Sequence, residues 1–137
     1  MTSFDSVLVD THIFLWYLQG SPRLTDSTRS LLDDVTARGE PILVSVVTLV
    51  ELAYLAEKGT LDEAEVDAIH AVLEAEGAGF DVVAVDPPVA WAVGGVPRDA
   101  VADPWDRMIA ATALVHSVPL VTYDRKLTAI ANLETMR

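Results

Sequence analysis

Residues 42–59 read ILVSVVTLVELAYLAEKG. Ile42–Ser45 is a short apolar run of the kind that fills a strand buried on both faces. From Val46 the apolar pattern runs on past the length of a strand and stops at Gly59, which predicts a helix over Val46–Lys58. A strand passing straight into a helix is half of a βαβ unit, and the rest of the chain repeats that alternation. Upstream, Ser6–Asp10 (SVLVD) is a second buried strand. His12–Leu18 follows as a helical stretch ending at Gly20-Ser21-Pro22, and Thr25–Arg38 is a helix closed by Gly39. Downstream, Asp62–Glu76 is a helix opened by a capping box of Asp62 and Glu65 and closed by Gly77. Val82–Val85 is a strand, Asp86-Pro87-Pro88 starts a short helix up to Val93, and Gly94–Asp103 is a loop. Pro104–His116 is a helix, Pro119–Thr122 a strand, Arg125–Ile130 a short helix and Leu133–Met136 an edge strand. The alternation predicts an α/β fold with a central parallel sheet of four to five strands flanked by helices. In such sheets ligands collect beyond the carboxyl ends of the strands.

The 137 residues suit one domain, 1–137, with a full core. Apolar residues make up 51% and charged residues 22%, the reverse of the balance that keeps a chain disordered. The longest apolar run, Ile42–Val50, is stopped by Glu51 well short of the roughly 18 residues that a membrane span needs. Residues 1–5, MTSFD, lack the basic start of a secretory signal, so a cytoplasmic location is expected. With no cysteine, disulfides, zinc–thiolate sites and thiol nucleophiles are excluded. The net charge of −12 repels phosphates unless cations or a local basic patch intervene, and it attracts basic partners.

Carboxylates stand at the strand ends. Asp10 closes the first strand and Asp124 follows the fourth; each either caps the next helix or faces a site. Glu51 sits about two turns into a helix that is apolar nearly all round. A carboxylate buried there costs several kcal/mol unless it is paired or metal-bound, so it either reaches water at an edge or points into a polar site. Asp103-Pro104 is a helix start, with the aspartate as cap and proline at the first position. Asp106, three residues on, can face the same crevice as Asp10. Four such carboxylates at one sheet edge would raise one another's pKa, and a divalent cation relieves the repulsion. All-oxygen donors select a hard ion, Mg²⁺ or Mn²⁺. Such an ion activates water and clamps a phosphoryl group in a displacement.

Four stretches carry a family resemblance: VLVDTHIFLW with Asp10, SVVTLVELAYLAEKG with Glu51, DPWDRMIAATAL with Asp106, and VTYDRKL with Asp124. In this order and over nearly the full chain they resemble the PIN-domain ribonucleases, specifically the VapC toxins of toxin–antitoxin pairs. Trp105 stands where the family's middle motif usually has phenylalanine. The resemblance implies a PIN-like three-layer sandwich and a Mg²⁺- or Mn²⁺-dependent endoribonuclease acting on structured RNA such as transfer or ribosomal RNA. It also implies a homodimer and a small VapB-like antitoxin that covers the acidic pocket. Asp10, Glu51 and Asp106 would hold the ion, with Asp124 helping directly or through water.

Around this set, the hydroxyls of Thr11 and Ser45 either position a carboxylate or water or cap helices, and Asp103 is expected to support the site from its cap position. Arg98, Arg107, Arg125 and Lys126 lie in or beside the loops that carry Asp106 and Asp124. They either border an RNA path or make ordinary surface pairs, whereas Glu57–Asp86 has nine acidic residues and one basic one. His70 and His116 read as structural, and His12 stands close enough in sequence to Asp10 to support it. The aromatic residues Trp16, Trp91, Trp105, Tyr17 and Tyr54 read as core or interface. Apolar residues around Phe14–Leu18 and Thr48–Leu55 are candidates for a dimer or antitoxin contact. Three other readings compete. A haloacid-dehalogenase-like phosphatase also places an aspartate after its first strand, but it needs a second one where His12 stands. A receiver-like signalling module needs a phospho-accepting aspartate after the third strand, where Asp86-Pro87-Pro88 reads as a helix start. A non-catalytic partner-binding domain keeps the fold without the activity, and the intact carboxylates argue against it.

Overall fold

The computed structural model describes residues 6–137. The leader reading of residues 1–5 falls outside them. The chain runs β1 (Val7–Val9), α1 (Thr11–Gln19), α2 (Asp26–Ala37), β2 (Ile42–Ser45), α3 (Val46–Glu57), α4 (Glu63–Glu74) and β3 (Phe80–Val83). It continues through α5 (Pro87–Ala92), a 3₁₀ turn at Val93–Gly95, α6 (Pro104–His116), β4 (Leu120–Val121), α7 (Arg125–Thr128) and β5 (Thr135–Met136). The five strands form one sheet of order β3-β2-β1-β4-β5, every neighbouring pair parallel. The chain winds outward from β1 to β3 and then returns to lay β4 on the other side of β1. The switch point therefore falls between β1 and β4, where a crevice opens beyond the strand ends.

Successive side chains on these strands enter opposite cores, as their period of two requires. Val7, Val9, Ile42, Val44 and Val121 pack with Ile13, Phe14, Leu32 and Leu52. Leu8, Leu43 and Leu120 pack with Val89, Ile109, Ala110 and Leu127 on the other face. Both faces of the central strands are covered, which is why those strands read as unbroken apolar runs. Alanines at 110, 111 and 113 lie on the inner face of α6 in this second core, and all three are fully buried. Among the described residues no helix is long and apolar enough to cross a membrane.

The third strand lies two residues earlier than the apolar run Val82–Val85 suggests. Ile42 N–H reaches the Gly79 carbonyl at 2.7 Å, and Ile42 pairs with Phe80. Phe80 then packs its ring edge-on against Phe14, with centroids 5.5 Å apart. Phe80 also meets the Tyr17 ring, with centroids 6.4 Å apart. Val82, on the edge strand, is 41% exposed and anchors nothing. The last helix and strand are shorter than expected, at Arg125–Thr128 and Thr135–Met136.

Candidate active site

Asp10, Glu51, Asp106 and Asp124 are each delivered by a different element. Asp10 follows β1 and caps α1, its Oδ1 accepting from the Ile13 N–H at 2.9 Å. Its Oδ2 accepts from the hydroxyl of Thr122, the fully buried residue just past β4. Thr122 Oγ1 in turn accepts from the Asp124 N–H at 3.0 Å. One threonine thus ties together the two strand ends at the switch point and fixes the spacing of Asp10 and Asp124. Asp124 also caps α7, accepting from the Lys126 N–H at 2.9 Å.

Glu51 comes from α3. Its Oε1 accepts from the Thr11 hydroxyl at 2.6 Å, and Thr11 Oγ1 lies 3.0 Å from Thr48 Oγ1. Thr11 has one proton and gives it to the carboxylate, so Thr48 must be the donor in the second bond. Both threonines are buried. Asp103 caps α6, accepting from the Trp105 N–H at 2.8 Å and the Asp106 N–H at 3.3 Å. That leaves the Asp106 carboxylate, one turn in, without capping duty.

These groups line one cleft of about 360 Å³: Asp10, Thr11, His12, Trp16, Glu51, Asp103, Asp106, Tyr123 and Asp124 surround it, with no lysine or arginine in the lining. The electrostatics record the convergence. Burial pushes Asp106 up to about 6, and the charges of Asp103, Asp124, Glu51 and Asp10 push in the same direction. Burial also raises Glu51, against the Thr11 bond that stabilises its anion. Asp10 is raised by burial too, in spite of its bonds from Thr122 and Ile13. Three carboxyls shifted the same way, each feeling others from distant elements, mark a shared pocket. No three of these side chains, among the described residues, already stand as a closed metal-ligand set. The donor chemistry fits a hard cation, because the cleft offers oxygen ligands in excess and no lysine or arginine to neutralise them.

Four expected participants have other work or other surroundings. Ser45 is buried and caps α3 through the Val47 N–H at 3.1 Å, away from the cleft lining. Arg107 directs its guanidinium to the carbonyls of Val93 and Val96, at 3.1 and 3.0 Å. It therefore fastens the 3₁₀ turn to α6 and does not border the cleft. The physical reason is helical: a residue adjacent to Asp106 points roughly 100° away from it. Arg107→Met should lower the urea unfolding free energy by about 2 kcal/mol, because it removes two charged hydrogen bonds to backbone. RNA affinity should stay unchanged; a selective loss of RNA binding would restore the cleft-side role. Arg98 and Lys126 are exposed and also outside the lining. The hydroxyls of Thr48 and Thr122 were not foreseen. Their only signal is a buried threonine beside a strand or helix carboxylate, which sequence alone reads as ordinary β-propensity or packing.

The competing phosphoacceptor reading loses its residue here. Asp86 is the cap of α5, bound to the Val89 N–H at 3.1 Å. The strand order β3-β2-β1-β4-β5 also differs from the 2-1-3-4-5 order of receiver-type folds.

The chain belongs to the PIN-domain family, whose pattern matches residues 7–133. Within it the chain falls in the VapC toxin family. It is 30% identical over 122 residues to Ribonuclease VapC22 of Mycobacterium tuberculosis, an alignment covering 89% of each protein. The fold is shared with VapBC2 of Rickettsia felis, solved on a DNA fragment from its promoter, at a TM-score of 0.75, 19% identity and coverage of 96% of this chain and 97% of that one. DNA-bound VapBC from Salmonella typhimurium matches at a TM-score of 0.69 and 25% identity, over 96% of both chains. FitAcB of Neisseria gonorrhoeae gives the same TM-score at 23% identity, again over 96% of both.

Proposed function

We propose that this chain is a divalent-cation-dependent endoribonuclease, the toxin of a toxin–antitoxin pair, and that Asp10, Glu51 and Asp106 hold Mg²⁺ or Mn²⁺ with Asp124 beside them. The observation that carries the reading is the meeting of carboxylates from β1, α3, α6 and the β4 end in one cleft free of lysine and arginine. A bound hard cation supplies a water of lowered pKa and neutralises charge on the phosphoryl oxygens. The chain's part is positioning. Thr122 holds Asp10, Thr11 and Thr48 hold Glu51, and Asp103 keeps the first turn of α6 in place so that Asp106 faces them. Such supporting bonds keep ligands in a productive geometry. Trp16 and Tyr123 wall the cleft.

Structured RNA, transfer or ribosomal, is the proposed substrate, and the cytoplasm the proposed location. The whole of 1–137 would form one domain and assemble as a homodimer. The proposed antitoxin carries a basic segment for the acid cleft and an apolar segment for the neighbouring surface. Two apolar grooves flank α4: Leu15 and Leu18 line one, Leu49 and Leu52 the other. They coincide with the segments singled out for contact in the sequence. The decisive experiment incubates the protein with total cellular RNA, with Mg²⁺ or Mn²⁺ and with chelator, and maps the product ends. Cleavage only with the cation, leaving 5′-phosphates, is expected. Chelator-resistant cleavage or 2′,3′-cyclic phosphate ends would refute the metal-directed reaction.

A further inference from the structure

Beyond Tyr123 the surface changes sign. The Tyr123 ring forms one wall of the acid cleft and also lines a second, open cleft of about 530 Å³ with Arg23, Thr25, Ser27 and Arg137. Arg137 is shared in turn with a third cleft of about 280 Å³ that includes Arg125, Thr128 and Thr135. Neither of these two clefts has an aspartate or glutamate in its lining. The chain has 9 basic residues against 21 acidic ones, so three arginines around two clefts that share Arg137, with no aspartate or glutamate side chain in either lining, concentrate positive side chains here.

We propose that Arg23, Arg137 and Arg125 form a track for backbone phosphates of an RNA strand, continuous with the acid cleft across Tyr123. The inference rests on the nuclease reading and adds where the strand runs. A strand whose reacting phosphate lies among the carboxylates meets net negative charge on nearly every side. The track is the exit where that repulsion reverses. Its chemistry suits phosphates: guanidinium groups give forked donors, and the threonine and serine hydroxyls add single ones. Met136 is its one large aliphatic lining residue, whereas a protein partner seeks an apolar centre.

The geometry is also held in place. The Tyr123 hydroxyl donates to Thr28 Oγ1 at 2.7 Å and accepts from the Thr25 N–H at 3.1 Å, so the shared wall is pinned to the start of α2. Arg23 lies over the Trp16 ring at 5.9 Å from its centroid, and Trp16 itself lines the acid cleft. One side chain thus reaches from the acid wall to the basic track. Of the cations singled out in the sequence, Arg125 lies on this path and Arg98 and Lys126 lie off it; Arg23 and Arg137 were not foreseen.

The test measures binding of a short fluorescent single-stranded RNA by anisotropy, in Mg²⁺ and over a range of salt. Asp106→Asn protein is used so that the RNA is not consumed. Adding Arg23→Ala and Arg125→Ala together should weaken binding about tenfold at low salt. It should also reduce the slope of log affinity against log salt by about 1.4, roughly 0.7 for each lost single-strand phosphate contact. Lys58→Ala, which removes one positive charge at the far end of α3, should leave the slope unchanged. An unchanged slope in the double variant overturns the track. So does a loss of binding to an acidic protein partner with RNA affinity intact. Cleavage by the unsubstituted protein is scored in parallel. Cleavage with an unchanged slope sinks the track alone; a reduced slope without cleavage sinks the hydrolytic reading and leaves the track.

Discussion

Asp106→Asn should reduce metal-dependent RNA cleavage by roughly 10²–10³-fold, the usual cost of removing one preorganised electrostatic element from a reacting site. It should do so while making the metal-free protein more stable. The two effects have one cause. Asp106 is held at about 6 by burial and by four neighbouring carboxylates, so its anion at neutral pH is a strained group. Asparagine keeps the shape and removes the charge. The rise is equivalent to about 3 kcal/mol at full strength, and for a partly buried, solvent-screened carboxyl about 1–2 kcal/mol of stabilisation is expected. Unfolding by urea in chelator measures it. Asp103→Asn is the matched comparison. Asparagine caps a helix as well as aspartate does, and Asp103 is exposed, so cleavage should change little; stability should rise by less than in Asp106→Asn, because only one of the charges acting on Asp106 is removed. If Asp106→Asn destabilises the protein, or if Asp103→Asn is the more damaging to cleavage, Asp106 is not the central carboxylate of the cleft.

The contrast between these two residues shows what a sequence can carry. Asp103 was legible as a cap because capping is local chemistry: an aspartate, a proline, then helix. Glu51 was legible because a lone carboxylate on an otherwise apolar helix has few tolerable surroundings. The sheet was legible for the same reason, since strands covered on both faces have to be continuous apolar runs. What sequence hides is direction. Arg107 is next to Asp106 in the chain and turns away from it around the helix, to hold the carbonyls of Val93 and Val96. Thr122 reads as one more β-branched residue at the end of a strand, and its bond to Asp10 spans 112 positions. Arg23 lies in a turn after α1 with no motif around it, and only the fold brings it over Trp16. The β3 boundary failed for a related reason. This edge strand turns its aromatic residue, Phe80, onto Phe14 and Tyr17, while its most apolar stretch lies at the exposed edge.

In chelator, stability should fall as pH rises from about 4 to above 6, and a divalent cation should reverse that trend. Asp106 has an ordinary value of 3.8 when unfolded and about 6 when folded. Between these values the folded chain holds the proton that the unfolded chain has released. Stability falls with pH wherever the native state binds more protons, so the penalty grows across this window and is complete above it. Asp10 and Glu51 are raised in the same direction and add to it. The net charge of −12 gives a background slope of the same sign, so the diagnostic quantity is the difference between the unsubstituted protein and Asp106→Asn. That difference should be small near pH 4 and largest above pH 6. A cation that binds only the folded carboxylates stabilises by about 2.7 kcal/mol at roughly 100 times its Kd. Protons compete for the same oxygens, so the gain in Tm should be larger at about pH 7.5 than at about pH 5. Thermal unfolding with Mg²⁺, with Mn²⁺ and with chelator at both pH values reads all three terms. A chelated protein whose stability rises through this window relative to Asp106→Asn would mean that the carboxylates do not repel one another, and a cation would then have no strain to relieve.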